Sequence, residues 1–530
     1  MKFIQGANRQ QIEIYTQCLD ETIGQNNEIR FIDLFVDGIM LNEFGFDMEY
    51  VDNGRPAYHP ADLLKLFIYG YMNKIRSSRD LEKECKRNIE LIWLLKGLQP
   101  DHNTISNFRR DNPKAIKNVF RSTVKIAKYF ELIGGKLIAG DSTKLRAQNS
   151  KKNNYNQDKI DRHVTYIDNK IEKYNNLLAT ADKDTTTQIE QAIKKQNQHK
   201  EEYKAIEKQI NETGQAQVST SDPESRQMIV RNNITEVAYN VQTTVDAKHC
   251  LPIDYKVTNN NDSKAMGTML RRAKSILSTN EFTALYDKGY HTGSELKIAD
   301  DLKINALVAV PSVASNAPDL KYNIANFIYN EQADTYTCPE GNTLTTNGTW
   351  YKRSSGKYRS DVQAQHYKTK VCKHCSQQSH CTKNARGRGR VIERSEYAKY
   401  LENNRINIHK EKELYKKRQA IVEHPYGTIK RQWGFSYILT KKGKERASAD
   451  VGFMFIAYNL RRIINIIGLD EFKKYLRILV LHVFKIFSFI RLKKLNCNGL
   501  RFFLKIIPIN FDAFLNRFIF DKNLAINGGF

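Results

Sequence analysis

K-L-I-A-G-D-S-T-K-L-R, residues 136–146, is the stretch on which the reading of the chain turns. A short apolar run, Leu137-Ile138-Ala139, closes at Gly140 and delivers Asp141. An apolar run of this length ended by a turn residue predicts a buried strand. Open α/β sheets place their ligands beyond the carboxyl ends of such strands. Asp141 is therefore a candidate site residue. An ordinary loop aspartate would have the same neighbours, so the case needs further acids delivered by the same fold logic.

Working outward, Val237, Tyr239, Val241, Thr243 and Val245 alternate as a half-buried strand does, and Leu251, Ile253, Tyr255 and Val257 alternate again after a turn at Asp246–His249. The patterning then predicts a helix over 263–277, a strand over 282–286 that ends on Asp287, a helix over 293–302 and a strand over 306–310. This order fits a ribonuclease-H-like α/β fold, a mixed sheet with flanking helices. In that fold the first and fourth strands are neighbours, so Asp141 and Asp287 share one end of the sheet. Two close carboxylates repel, and a hard cation such as Mg²⁺ offsets the repulsion. Between the first strand and the hairpin, Ile160, Val164, Ile167, Ile171, Tyr174 and Leu177 recur at helical spacing. A return helix over 187–210 makes this a charged helical hairpin, inserted at 147–236.

Upstream, residues 1–130 read as an all-helical domain. Pro60-Ala61-Asp62, Ser78, Asn88, Asp101 and Pro113 mark helix starts, and Gly97 and Pro100 a stop. Short helices with tight turns, one carrying Asn107, Arg109 and Arg110, fit a helix-turn-helix reader of DNA. A small helical bundle with a solvated basic face is the alternative. The whole chain has 84 Lys and Arg against 58 Asp and Glu, a net charge of +26. Such a surplus points to a polyanion, nucleic acid before membrane. No stretch reaches the roughly 18–20 apolar residues of a spanning helix, and Met1–Asn8 has no apolar leader. The expectation is a cytoplasmic protein without integral membrane association.

Eight cysteines are too sparse for a disulfide scaffold. Four fall in a second insertion, 311–396. Cys372 and Cys375 form a C-x-x-C, and Cys338 and Cys381 could close a tetrahedral structural Zn²⁺ site of zinc-ribbon type. His374 and His380 are alternative fourth ligands, and free thiols the bland alternative. The run from Arg386 to Arg390 reads as a phosphate contact or a solvated loop. Residues 397–423 lack Gly and Pro and read as helical, ending at a third acid, Glu423, with Glu411 and Glu413 as rivals. The core domain extends over 131–470, its last helix, 451–467, packing on the sheet. A basic apolar tail, 471–530, reads as helices covering the core, with membrane-surface binding as the alternative.

Three motifs resemble one family. G-D-S-T-K around Asp141, D-K-G-Y from Asp287, and the set Tyr415, Arg418, Glu423 and Lys430 resemble the acid motifs of DDE transposases encoded by bacterial insertion sequences; the stretch 237–262 resembles them too. The resemblance implies that Asp141, Asp287 and Glu423 hold two Mg²⁺ (or Mn²⁺) ions, with Lys430, Tyr415 and Arg418 at DNA phosphates. It further implies hydrolysis at the element's ends and transesterification into target DNA. The implied partners are double-stranded DNA, as terminal inverted repeats and as target, and a second protomer. The implied location is the bacterial nucleoid. Two departures stand out. Four residues separate Arg418 from Glu423 where the family has three, which turns Arg418 away from Glu423 on a straight helix. Pro425 is expected to interrupt that helix. A DNA-binding protein of transposase descent without strand chemistry, or a simple metal-dependent nuclease, are the other readings.

Overall fold

The computed structural model describes residues 18–49, 56–179, 182–214, 216–231, 234–312, 317–355, 358–383, 389–440 and 442–480. The chain folds as a mixed α/β protein with two compact units, one of residues 1–134, 142–260 and 423–530, the other of 135–141 and 261–422. One strand, β1 (Leu137–Arg146), contributes its first half to the second unit and the rest to the first.

In the first unit four of the predicted helix starts carry a side-chain cap. The His59 ring accepts from the Ala61 N–H at the head of Pro60–Met72, and Ser77 caps Ser78–Arg87. Asn88 caps Ile89–Leu94, and Asp101 accepts from Asn103 and Thr104 at the head of His102–Asp111. Each such bond satisfies an N–H that the helix leaves orphaned. These helices and Pro113–Tyr129 close around a distant segment, Lys444–Ile467. Phe67 stacks on Phe453 at 4.8 Å. Gly452 permits a close approach: a Cβ there would stand 2.6 Å from the Tyr255 hydroxyl and 2.8 Å from Ile116.

The same unit holds the predicted hairpin. Strands β2 (Arg226–Arg231), β3 (Ile234–Asp246) and β4 (Leu251–Thr258) are antiparallel, with Val241 opposite Val257. The alternation suggests a strand with one face in water, yet β3 is buried on both faces from Val237 onward, so the expectation of a half-buried strand is corrected. Two of its buried polar side chains are bonded: Asn240 Nδ2 donates to the Asn260 carbonyl, and Thr243 Oγ1 bonds the Tyr426 hydroxyl. The insertion carries two helices, Gln157–Leu178 and Lys183–Thr213, and a short strand pair, with Ile160, Ile210 and Val218 as core. Gln157 bonds Glu207 and Lys200 pairs with Asp168, so the helices run antiparallel. Of the tail, residues 481–530 lie outside the described residues. Just before them Phe472 packs on Phe31 and Phe130.

In the second unit the first half of β1 lies parallel to β5 (Thr283–Tyr286), and β5 parallel to β6 (Asn305–Val308). Helix Gly293–Asp301 makes the crossover between β5 and β6. Helix Ala398–Lys410 closes the edge of β6: buried Asn404 donates to the Val308 carbonyl at 2.8 Å and accepts from the Val308 N–H at 2.9 Å. The cysteine-rich segment carries two three-stranded antiparallel sheets over a core of Phe327, Tyr336, Leu344, Tyr367 and Ile392. Among the described residues no single helix is long and apolar enough to cross a membrane.

Candidate active site

The register of β1 against β5 builds the site. Leu137, Ile138 and Ala139 pair with Thr283, Ala284 and Leu285. Two residues past the last pair, on both strands, stand Asp141 and Asp287. Parallel neighbours run about 4.8 Å apart and equivalent positions face the same side, so the register sets these two half-buried carboxylates beside each other. Asp287 also caps the turn Lys288–Tyr290, accepting from the Lys288 N–H. The strands fit closely because residue 140 has no side chain. A Cβ there would meet the Tyr286 ring at 2.0 Å.

Helix Lys412–Tyr426 carries the cation that answers these acids. Tyr415 donates its hydroxyl to the Tyr286 carbonyl at 3.1 Å, and Arg418 Nη1 donates to Asp141 Oδ2 at 3.4 Å. Three residues apart, the two side chains share a helix face. Burial works against the Arg418 charge, but Asp141, Tyr415 and Asp287 outweigh it and hold the guanidinium above its ordinary value. Burial pushes the Tyr415 phenol up; Arg418 opposes this, and Asp287 and Asp141 add to it. Arg418, doubtful from its spacing to Glu423, thus finds its partner in Asp141. The rival acids are occupied otherwise: Glu411 accepts from Asn305 at 3.1 Å, and Glu413 pairs with Lys416 at 2.6 Å. Among the described residues no three His, Cys, Asp or Glu side chains are gathered so as to hold an ion. The two carboxylates are hard oxygen donors of the kind a divalent cation takes, and the Arg418 guanidinium offsets part of their charge.

In the first unit, Glu423 is exposed. Pro425 does not break the helix before it. It sits in the last turn, and the backbone then widens to a π-helical turn, Gly427–Gln432, in which the Trp433 N–H reaches the Thr428 carbonyl at 3.0 Å. Widening is the accommodation open to a residue without an N–H. Lys430, on this turn, donates to Thr143 Oγ1 at 2.9 Å.

The three N-terminal DNA-contact candidates separate. Asn107 is exposed, and exposed Arg110 pairs with Asp111 at 2.6 Å. Arg109 is buried, donating to the Tyr71 hydroxyl and the Arg76 carbonyl at 3.0 Å each, with Asp450 3.9 Å away. Its assignment to DNA is therefore corrected: it neutralises an aspartate that is fully buried. Asp450 also accepts from Tyr71 and from the Leu439 N–H. No local motif around residue 109 announces this, because its partner lies more than 300 residues on. A cleft of about 430 Å³ nearby is lined by Lys74, Arg76, Lys83, Arg87, Trp433 and Tyr437, among others.

In the second unit Cys338, Cys372, Cys375 and Cys381 line one cavity of about 30 Å³, all as free thiols. His374 and His380 are exposed and do not line it. Of the Arg386–Arg390 run, residues 386–388 lie outside the described residues.

Two family models match the chain: a transposase domain (DUF772) over residues 17–111, and a transposase DDE domain over residues 337–464. Both matched models are of transposase domains, and together they support a DDE transposase of an insertion element. The second match takes in the four cysteines, Arg418, Glu423 and Lys430; the first takes in Arg109. No curated protein matches. Among solved structures, the piggyBac transposase synaptic complex with hairpin DNA is similar at 12% identity and a TM-score of 0.31. That alignment covers 90% of this chain and 83% of the other.

Proposed function

We propose that the chain cuts DNA at the ends of its element and joins the freed 3′ ends to target DNA, in a core of ribonuclease-H-like type. The observation that carries this reading is the register that sets Asp141 beside Asp287, with Arg418 against Asp141. Glu423 is the third acid. Asp141, Asp287 and Glu423 would hold two divalent cations, Mg²⁺ or Mn²⁺, which when bound supply an activated water or 3′-hydroxyl and stabilise the leaving oxygen. Lys430 and Tyr415 hold the flanking phosphates, and Arg418 orients Asp141. Exposed Asn107 and Arg110 contact the inverted repeats. The strand set supports the fold reading: β1, β5 and β6 are parallel, and β3 and β4 form the antiparallel hairpin. The charge of +26 supports a DNA partner. Two protomers pair the two ends.

The test mixes purified protein, Mg²⁺ and labelled DNA carrying the element's ends. Cleaved and joined products are expected, with Asp141→Asn and Asp287→Asn losing both while still binding DNA. Cutting retained by either variant would remove the proposed site. Binding without cleavage would support a DNA-binding descendant, and cleavage without joining a simple nuclease.

A further inference from the structure

The cysteine-rich segment has little to hold it together. Among the described residues its core is five side chains, with Cys338 and Cys381 packed at the margin. So small a core commonly needs a disulfide or a metal. The four cysteines belong to three local turns that meet at one place. Cys338 heads a tight turn after Thr335–Thr337: its carbonyl accepts from Gly341 N–H and its N–H donates to Asn342, with Gly341 at φ +78°. Cys372 lies within the 3₁₀ turn Lys370–His374, Cys375 directly follows it, and Cys381 ends the short helix Gln378–Cys381. Gly389 lets the returning chain pass over Cys372, where a Cβ would stand 2.4 Å from the Cys372 Cβ.

The second observation concerns donors. Gln378 and Arg390 line the same cavity. Gln378 Nε2 and Arg390 Nε are both buried, and neither has a hydrogen-bond partner among the described residues. Buried N–H groups without acceptors are rare in folded proteins. Two of them beside four thiols call for an anion at the centre, and neutral thiols are poor acceptors.

We infer that Cys338, Cys372, Cys375 and Cys381 bind one Zn²⁺ as a closed four-thiolate site. Binding releases four protons and leaves a centre of net charge −2, which accepts from Gln378 and Arg390. The thiols now line the cavity without converging on a point; the ion draws the sulfurs in to about 2.3 Å. A four-coordinate site has no open position, so the role is to hold the segment's fold. Exposed His374 and His380 are not ligands, which decides between the ligand sets that spacing alone leaves open.

The test is metal analysis of the full-length protein purified without chelator, followed by Co²⁺ substitution. One zinc per chain is expected in the wild type and in His374→Ala/His380→Ala, and none in Cys372→Ser/Cys375→Ser. Because those serine variants can fail to fold, the cobalt spectrum of the wild type is the decisive measurement. Tetrahedral d–d bands with the charge-transfer intensity of four thiolates are expected. An octahedral spectrum, three-thiolate intensity, or reduced protein that takes up neither metal would overturn the assignment. Asp141→Asn should retain its zinc, which separates this result from the fate of the cleavage reading.

Discussion

Gly140→Ala is the sharpest probe of the strand pairing on which the site depends. The added Cβ would stand 2.0, 2.3 and 2.7 Å from Cε1, Cζ and Cδ1 of Tyr286. Ordinary carbon contacts lie at about 3.5–4.0 Å, so the ring must retreat by roughly 1.5 Å. It has no open space to enter: Tyr286 and its neighbour Tyr290 are each 1% exposed, with ring centroids 4.9 Å apart. Overpacking of this kind costs about 1–3 kcal/mol, and a collision with a ring wedged on two sides belongs at the upper end. At roughly 2–4 °C per kcal/mol for a unit of 150–250 residues, about 3 kcal/mol lowers the melting temperature by about 6–12 °C. Thermal melting measures the loss, and hydrogen exchange over residues 283–290 localises it. Tyr286→Val in the same chain removes the obstructing ring, so the double variant should lose much less than the two single losses summed. A Gly140→Ala protein that melts within a degree of wild type, or a double variant with purely additive losses, refutes the reasoning. DNA cleavage should fall further than DNA binding, because the displaced Tyr286 immediately precedes Asp287.

Arg109→Leu strips Asp450 of a buried partner and should cost about 3–5 kcal/mol in chemical denaturation, while Arg110→Ala leaves the midpoint unchanged. Equal effects would mean that Arg109 does not serve the core. His291 sets a pH dependence: burial and nearby Arg405 hold its imidazole below the ordinary value, and its Nε2 is buried without a partner among the described residues. The unfolded chain, titrating near about 6.5, takes up the proton more readily than the folded one. The stability contribution is therefore complete above that pH and is lost as pH falls through it and down toward the folded value. His291→Gln should flatten the melting temperature between pH 7.5 and 5.5 relative to wild type; parallel curves would exclude the residue. Lys430→Gln removes the donor to Thr143 Oγ1 and should slow DNA cleavage by at least tenfold with little change in melting temperature; unaltered cleavage would remove Lys430 from the site.

What could be read from the chain and what could not follows from the range of the interactions. Helix starts at Pro60, Ser78, Asn88 and Asp101 are legible because a cap acts over two or three residues. The hairpin of β3 and β4 is legible because alternation is local. Burial of both faces of β3 is not, since it depends on which distant segments cover the sheet. Arg109 looks like a DNA contact for the same reason: a basic residue on a short helix carries no mark of an aspartate at 450. Arg418 shows the limit most clearly. Counting along a helix relates it only to Glu423, and that count turns it away. Its partner is Asp141, on a strand 277 residues upstream, and only the pairing of β1 with β5 sets the acids where the helix can reach them. The charge at the site is thus a product of sheet register, and a substitution that shifts the register should unmake the site without touching an acid.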